Sequence, residues 1–594
     1  MPTYPTLQET TNSVEMLTSF GGYDHNESIS DNEFYDMENL SSDSYPAASV
    51  RRRRLIVKQM DSPNGILEKD ALVWIDGRHV YYNGEDITER TLGSQGLELT
   101  DSKKALVSMG AYLLIWPDKV YINTADSSDC GLMENETATG TLSAESPVTF
   151  TLCKVDGTDY ENVTASALAP EDPENGTLWL DTSGTTHGLK QYSTSSDMWV
   201  SIATTYVRIA YTGIGKGFGQ YDGVNIAGCT VSGTESLNGS HIIYDAKDDY
   251  IVIIGILDQV TNQTEGKVTI SRSVPDMDYV TEAQNRIWGC KYGLVDGSTV
   301  NEIYCCALGD FKNWEKYMGI STDSYRASVG TDGVWTGAIT YLGYPMFFKE
   351  NCFHKVYVST SGAHQIVDTQ CRGVQKGSAR SMAIVNEVLY YKGRTGIMGY
   401  DGSLPQEVGT QLGSAHYYQA VGGAFGNKYY CNMQDGEGVY HLFVYDTSRG
   451  LWYKEDGLEI SAFAKCDDTL FALTNDAIVS MNGVSMNGLG TTEETVAWSG
   501  ELAVIGYDTP DRKYLSRFNL RLKLPAESYM DVYLQYDSNG VWEHNGRITG
   551  SGDRTFMLPV RPRRCDHCQI KLTGVGEMTL FSLSKIREDG SDVE

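Results

Sequence analysis

Two cysteines spaced for metal binding are the most chemically suggestive feature of the sequence. In Cys565-Asp566-His567-Cys568 the thiols have the spacing of one knuckle of a zinc site. A structural zinc ion needs four ligands within tetrahedral reach, usually from two such knuckles. No second Cys-x-x-Cys pair occurs in the chain. We therefore predict a strand start with a buried thiol at this position, and no metal site.

Patterns of known catalytic sites are incomplete or missing. The segment Gly213–Gly219 resembles a phosphate-binding loop, but it lacks the Gly-Lys-Ser/Thr ending and a following helix. Neither a Gly-x-Ser-x-Gly elbow nor a His-Glu-x-x-His motif occurs. A glycosidase pair of carboxylates stays open, because such a pair is defined by convergence in a pocket and not by spacing along the chain. On these grounds we predict a protein that is not an enzyme and has no cofactor.

Charge and hydropathy exclude further classes of protein. The chain has 594 residues, with 47 Lys or Arg against 78 Asp or Glu, so its formal net charge is −31. A domain that reads nucleic-acid sequence would need a basic face, and the acidic balance of this chain argues against such a domain. The longest strongly apolar run, Ile251–Leu257, is too short to span a membrane. The N-terminus lacks the basic start and apolar stretch of a signal peptide, so we expect a soluble chain with reduced, mostly buried cysteines.

The composition and the spacing of strand patterns indicate an all-β fold. Gly is high at 61 and Tyr at 38, whereas Pro is only 15, as expected for strands joined by glycine turns. Strand–turn–strand units recur, in the second half of the chain at intervals of roughly 40–60 residues, which is the spacing of four-stranded propeller blades. These units are Ala71–Gly84, Ala111–Asn123, Arg286–Leu308, Tyr344–Ser359, Glu387–Gly402, His441–Gly457 and Thr469–Gly483. We predict a β-propeller body of six or seven blades, and the sequence does not choose between the two numbers.

Two further β units are expected beside the propeller. A long polar insertion with two short apolar strands is too long for a loop, so we predict an accessory β-module with Trp179 and Trp199 in its core. The C-terminal segment alternates apolar and polar residues, which is typical of a β-sandwich with one wet face. The predicted division is 1–54 for an extended N-terminal arm, 55–124 for the first blades, 125–270 for the inserted module, 271–495 for the remaining blades and 496–594 for the sandwich.

Several short segments together resemble the virion structural proteins of bacteriophages. They are Phe20-Gly21-Gly22, Asp36–Leu40, Tyr45-Pro46 and Arg51–Arg54, then Pro275–Tyr279, Asn285–Cys290, Ala307–Asp310 with Trp314, Val329–Gly333 and Arg561–His567. The group that they resemble contains the propeller-bearing tail hub, nozzle or stabilisation proteins of short-tailed phages. The likeness covers most of the chain outside about residues 125–175, and its motifs are structural rather than catalytic.

The resemblance implies a role in the virion tail, in a particle assembled in the host cytoplasm. It implies a homohexameric ring that contacts the portal or an adaptor and other tail proteins, and through which DNA leaves without sequence-specific binding. An acidic lumen suits such a conduit, because it repels phosphate. Closed rings use heterologous interfaces, which an arm reaching over the next subunit would strengthen.

The expected subunit interface lies in two basic and aromatic regions. The arm cannot bury its own apolar groups, so it must lie on the body or on a neighbouring chain. Its predicted interface residues are Phe20, Tyr23, Phe34, Arg51, Arg52, Arg53 and Arg54. A nucleic-acid or targeting patch is the alternative for the arginine run, but the acidic chain favours a clamp on an acidic neighbour. Arg561, Arg563 and Arg564 form the second cluster. Removal of residues 1–54 is therefore expected to leave a folded monomer that does not form rings.

A rival prediction comes from a different class of protein. The chain could be a receptor- or glycan-binding tail protein with a propeller body, in which Trp179 and Trp199 stack on sugars instead of filling a core. Exposure of the two indoles to solvent, with binding to bacterial polysaccharide, would distinguish this hypothesis from the first.

Overall fold

The computed structural model describes residues 12–295, 297–486, 488, 490–506, 512–550, 552–561 and 563–589. Within these ranges the chain is almost entirely β, which confirms the predicted fold class. The helical elements of the described residues are four 3-10 turns, at Leu92–Gln95, Glu235–Leu237, Ala379–Ser381 and Thr410–Leu412. No helix among the described residues is long and apolar enough to cross a membrane.

The N-terminal segment contributes five strands to sheets that are built mainly from later parts of the chain. These strands are β1 (Asn12–Leu17), β2 (Phe34–Glu38), β3 (Leu40–Ser41), β4 (Ala48–Val50) and β5 (Leu55–Gln59). The first two blades of a propeller follow. Blade one contains β6 (Pro63–Lys69), β7 (Ala71–Asp76), β8 (His79–Tyr82) and β9 (Glu85–Asp86), and blade two contains β10 (Ala105–Met109), β11 (Tyr112–Trp116), β12 (Val120–Asn123) and β13 (Cys130–Leu132).

An inserted module interrupts the propeller after blade two. Eight of its strands form one curved sheet, namely β14 (Asn135–Ala138), β15 (Val148–Cys153), β20 (Tyr206–Ala210), β21 (Gly223–Ala227), β22 (Gly239–Lys247), β23 (Tyr250–Ile254), β24 (Thr261–Gln263) and β25 (Thr269–Arg272). A second sheet contains β16 (Val163–Ser166), β17 (Leu178–Asp181), β18 (Gly188–Ser193) and β19 (Met198–Ser201). The module has a hydrophobic core of its own, which includes Phe150, Ile209 and Ile253.

The propeller resumes with five more blades, so it has seven. Blade three contains β26 (Tyr279–Glu282), β27 (Ile287–Val295), β28 (Ser298–Cys305) and β29 (Tyr325–Ser328), and blade four contains β30 (Gly337–Tyr341), β31 (Tyr344–Phe348), β32 (Cys352–Tyr357) and β33 (Gln365–Gln370). Blade five contains β34 (Ala383–Val385), β35 (Val388–Lys392), β36 (Ile397–Tyr400) and β37 (Gln406–Glu407), and blade six contains β38 (Tyr418–Phe425), β39 (Lys428–Gln434), β40 (Tyr440–Asp446) and β41 (Leu451–Glu455). Blade seven contains β42 (Ile460–Cys466), β43 (Thr469–Thr474), β44 (Ala477–Ser480), the N-terminal β5 and β45 (Thr491–Thr492).

The blades pack face to face around a closed ring. Strands such as β43, with every residue buried, are continuous apolar runs because a neighbouring blade covers each of their faces. One apolar cluster joins blades one and two, and another joins blade seven back to blade one. The first strands of successive blades contact one another around the axis, with Ala379–Ser381 between blades four and five and with β42 against β6. Closure also depends on β5, which lies antiparallel to β44 with Leu55 opposite Ser480.

Two sheets form a C-terminal sandwich. Its own strands are β46 (Ala497–Leu502), β47 (Lys513–Leu524), β48 (Tyr529–Tyr536), β49 (Glu543–Thr549), β50 (Gly552–Pro559), β51 (Cys568–Val575) and β52 (Thr579–Asp589). One sheet has the order β3-β4-β52-β47-β50, with β1 also beside β52, and the other has the order β2-β46-β51-β48-β49. Along β47, residues such as Leu520 and Leu522 point into the core, whereas Arg521 and Lys523 point outward.

The N-terminal arm differs from the prediction that it reaches over a neighbouring subunit. Its strands β1 to β4 complete both sheets of the sandwich in the same chain. Phe20, Tyr23 and Phe34, expected at a subunit interface, are at most 3% exposed and lie in the core between the sandwich and blade six. Removing residues 1–54 would therefore delete part of a core instead of freeing a folded monomer. Residues 1–11 of the predicted arm and 590–594 of the predicted sandwich lie outside the described residues.

Candidate interaction sites

The arginine run lies where arm, propeller and sandwich meet. Arg51 has a buried side chain whose guanidinium lies 3.0 Å from an Asp456 oxygen and 2.9 Å from a Glu493 oxygen. Its Nε donates to the side-chain oxygen of Asn39 at 2.7 Å. Arg54, also buried, lies 2.8 Å from Glu455 and 3.0 Å from Asp456. The predicted clamp on an acidic surface thus exists, but the acidic surface belongs to the same chain, which corrects the assignment of these two residues to a subunit interface.

Electrostatics at this junction favours the charged forms. Burial alone would raise the pKa of Glu493, but the hydrogen bonds and charges of Arg51 and Arg54 outweigh it and hold that pKa below its ordinary value of 4.5. The same carboxylates raise the pKa of Arg51 against the opposing effect of burial. Arg52 and Arg53 are more exposed and lie 3.6 Å from Asp43 and 4.0 Å from Glu577. The two buried arginines of the junction, Arg51 and Arg54, are both paired with carboxylates of the same chain. They are therefore not available to bind a partner.

A close backbone approach explains the glycine at position 22 of the arm. A Cβ on Gly22 would lie 2.3 Å from the carbonyl oxygen of Trp452, in blade six. The next amide, that of Tyr23, donates to this oxygen at 2.6 Å. Only a residue without a side chain permits this contact. The Phe20-Gly21-Gly22 segment therefore positions the arm against the propeller.

The second basic cluster is on the surface. Arg561, Arg563 and Arg564 are all exposed, and Arg563 lies 2.7 Å from Glu543. The outward face of β47 adds Arg517, Arg521 and Lys523, whose alternate spacing in the sequence could have predicted this row. Residues 496–594 contain 13 Lys or Arg against 14 Asp or Glu, whereas the whole chain has 47 against 78. The sandwich is therefore much less acidic than the propeller and the module.

The two tryptophans of the inserted module have different environments. Trp179 is 7% exposed and donates from its indole nitrogen to the carbonyl of Ser166 at 3.0 Å, so it fills a small core. Trp199 is half-buried, with its ring centroid 5.3 Å from that of Trp179 and 5.3 Å from that of Tyr192. Lys190 lies over the Trp179 ring. Trp199 and Tyr192 are thus the aromatic rings of this sheet that retain some exposure.

Cys565 and Cys568 are both buried in the sandwich. Their backbones are in β-bridges, to Lys513 and to Ile505 respectively, and the Cys565 thiol lies 3.4 Å from the Lys513 carbonyl oxygen. Within the described residues, no group of three or more His, Cys, Asp or Glu side chains is arranged to hold a metal ion. Cys568 begins β51, and both thiols are buried where the sequence predicts a strand start with one buried thiol.

A cavity of about 500 Å³ occupies the centre of the propeller, and no sequence pattern predicts it. Its lining comes from the first strands of the blades and from the residues just before them, including Lys103, Asp278, Tyr279 and Arg380. Arg380, before blade five, donates to Ser461 of blade seven at 2.7 Å and to the carbonyl of Lys104 before blade two at 3.1 Å. Asp278 is the carboxylate of the lining, and it lies 2.9 Å from Lys291. No local pattern marks these residues, because the ring closure alone brings them together.

Comparison with known proteins gives no family for this chain. No protein-family model matches it, and no curated protein matches it. Among solved structures, a glycoside hydrolase matches at 11% identity, over 51% of this chain and 96% of that chain, with a TM-score of 0.20. An exo-β-1,3-galactanase from Phanerochaete chrysosporium, solved with galactose, matches at 9% identity over 69% of this chain and 99% of that chain, with a TM-score of 0.19. A puromycin hydrolase matches at 11% identity over 62% of this chain and 57% of that chain, with a TM-score of 0.17.

These matches correct one prediction. The expectation that the chain is not an enzyme is contradicted by structural neighbours that are glycoside hydrolases, and it is withdrawn. TM-scores near 0.2 assign neither an activity nor a substrate to this chain.

Proposed function

We propose that this chain is a structural component of a bacteriophage tail, as its sequence resemblance implies. The supporting observation is where the resembling segments lie. Gly22 meets the backbone of Trp452, Asn39 binds the Arg51 guanidinium, and Arg51 and Arg54 bind Glu455 and Asp456. These residues fasten the propeller to the sandwich. The shared features are therefore architectural, which suits a subunit that must keep its domains in fixed positions within a particle.

In this proposal, DNA passes between copies and not through one propeller. The Arg380 side chain crosses the central cavity between blades five, seven and two, so this opening does not admit a duplex. A conduit would instead be the lumen of a ring of copies, six in the arrangement that the resemblance implies. The net charge of −31 suits a lumen that repels phosphate. The portal or an adaptor and other tail proteins are the proposed partners.

Of the predicted subunit contacts, Arg51 and Arg54 are buried within the chain, whereas the arginines of the sandwich are exposed. We propose that the sandwich arginines contact a neighbouring subunit. Arg561 and Arg564 lie on the least acidic unit of the chain, where they can face an acidic neighbour. We expect Arg561→Glu with Arg564→Glu to abolish rings without lowering the thermal unfolding midpoint. Arg78→Glu with Arg90→Glu, the same double charge reversal at two exposed arginines beside blade one, is the matched control.

Electron microscopy and mass photometry of the purified chain, with and without the portal, test the assembly. Closed rings with a central opening support the proposal, as does detection of the chain in purified virions by mass spectrometry. A monomer under both conditions, together with its absence from virions, would refute it.

A second candidate function is glycan binding by the inserted module. The half-buried Trp199 beside Tyr192 favours it, because sugars stack on aromatic rings of this kind. The buried Trp179 does not contribute a free face. We expect Trp199→Ala to abolish any binding of bacterial polysaccharide and Met198→Ala, on the opposite face of the same strand, to leave it unchanged. Equal binding by both variants, or none by the parent chain, would exclude this function.

A further inference from the structure

The central cavity of the propeller combines an apolar wall with two cations that lack carboxylate partners. The wall is formed by Leu106, Trp116, Met277, Val280, Met382 and Phe463. The cations are Lys103 and Arg380, which precede blades two and five and so approach the axis from opposite sides of the ring. Among the other charged lining residues, Lys104 is paired with Asp118 and Asp278 with Lys291.

Both cations are held by neutral acceptors. Lys103 donates its ammonium hydrogen to the carbonyl of Pro63, in blade one. Arg380 donates to the carbonyls of Ser461 and Lys104. In the described part of the chain, neither group has an ion pair with a carboxylate within 4.0 Å. The backbone thus fixes the positions of the two charges without neutralising them.

Both side chains are exposed to the water in the cavity, yet the residues around them still disfavour their charged forms. Burial first, and the charge of Arg380 second, lower the pKa of Lys103, although Glu459 and Asp101 act in the opposite direction. Burial also lowers the pKa of Arg380. An anion placed between the two groups would offset this cost, because charge-assisted hydrogen bonds are stronger than those to neutral carbonyls.

We propose that the central cavity binds an organic oxyanion, a carboxylate or phosphate carried on an apolar or aromatic body. Its charged end contacts Lys103 and Arg380, and its body lies against Phe463 and the aliphatic wall. The volume of about 500 Å³ is in the range of small-molecule sites. This inference is independent of the proposed role in a phage tail.

Isothermal titration calorimetry with phenyl phosphate, benzoate and neutral benzyl alcohol tests the site on the full chain. We expect the anions to bind and benzyl alcohol not to bind. Tighter binding of phenyl phosphate would indicate a phosphate ester as the natural ligand, and tighter binding of benzoate a carboxylate. Failure of both anions to bind at about 1 mM, a free energy of about 4 kcal/mol, would overturn the proposal.

Variants assign the binding to the two cations. Lys103→Gln and Arg380→Gln should each raise the dissociation constant of the anion about tenfold or more. This is the effect of removing a hydrogen bond to a charged group. Arg372→Gln, which changes an exposed arginine paired with Glu407 outside the cavity, is the matched control. Arg380 also connects three blades through its hydrogen bonds, so Arg380→Gln could fail to fold. Lys103→Gln is then the variant that tests the site. Unchanged affinity in Lys103→Gln, or crystallographic density for the anion elsewhere, would contradict the site.

Discussion

Arg51 binds carboxylates from two parts of the chain at the junction between propeller and sandwich. Its buried guanidinium neutralises Asp456 at the end of blade six and Glu493 in the segment that leads to the sandwich. Burying a charge requires a partner, and losing that partner leaves the other charges uncompensated. One side chain thereby links parts of the chain that are far apart in sequence.

Replacing Arg51 tests this role. We expect Arg51→Gln to lower the free energy of unfolding by about 3 kcal/mol, because it leaves partly buried carboxylates unpaired. Arg52→Gln changes the adjacent, mostly exposed arginine and should stay within about 0.5 kcal/mol of the parent chain. Urea unfolding followed by tryptophan fluorescence measures both. Equal effects of the two substitutions would contradict the role of Arg51.

The lowered pKa of Glu493 makes the junction sensitive to acid. A carboxyl whose pKa is depressed in the folded state stabilises it above the unfolded value and loses that contribution as pH falls through the folded pKa. Stability from Glu493 should therefore decline as pH falls below about 4.5, its ordinary value. The decline should be shallower in Glu493→Gln, which lacks the titrating group. Thermal unfolding midpoints between about pH 6 and pH 3 compare the two proteins, and parallel curves would exclude this contribution.

At the scale of the strand, β5 is the element that closes the ring. It lies between β44 and β45, with Ile56 opposite both Val479 and Thr491. A proline at a central position of a sheet removes a ladder hydrogen bond and fixes φ. We expect Ile56→Pro to destabilise blade seven by about 3 kcal/mol or more, whereas Ile56→Thr, a β-branched control at this half-exposed position, should have a small effect. Limited proteolysis of residues 460–480 reports the opening, and equal protection of the two variants would contradict the closure by β5.

The strands themselves could be predicted from the sequence, but their partners could not. Continuous apolar runs such as β11 and β31 indicate blades, and the alternation along β47 indicates a sandwich sheet, because each pattern reflects how many faces are covered. Strands β2 and β4 are short, and nothing local shows that they pair with β46 and β52. The sequence therefore leaves open whether the arm lies on its own body or on a neighbouring subunit. Lys103 and Arg380 likewise come to line one cavity only when the seven blades close into a ring.

At the scale of the whole molecule, the described strands of the inserted module and of the propeller share no sheet. No strand of the module belongs to a blade, and its first and last strands are paired neighbours, with Asn135 opposite Arg272. Contacts to blade three include Asn313, which donates to Asp222 at 2.8 Å and accepts from the amide of Gly223 at 2.9 Å. The module thus rests on the propeller without completing it.

Deletion of the module tests this independence. Replacing residues 135–272 with a short glycine–serine linker should leave a closed seven-bladed propeller, because residues 134 and 273, which the linker joins, flank the paired positions Asn135 and Arg272. We expect a modest loss of about 1–3 kcal/mol, because water replaces the two hydrogen bonds that Asn313 makes to the module. Deleting blade five, residues 383–407, is the control that should abolish folding by opening the ring. Circular dichroism and electron microscopy measure both, and an unfolded chain after removal of the module would refute the prediction.

The pairing of Ser49 with Thr579 sets the order in which the protein can be completed on the ribosome. Bacterial and other ribosomes add roughly 5–20 residues per second, so roughly half a minute to two minutes of synthesis separate these two positions. During that time the N-terminal strands and aromatic side chains have emerged without their partners, and blade seven lacks its last members. The nascent chain therefore exposes apolar surface and unpaired strand edges until translation is nearly finished, which makes it a substrate for chaperones that bind near the exit tunnel.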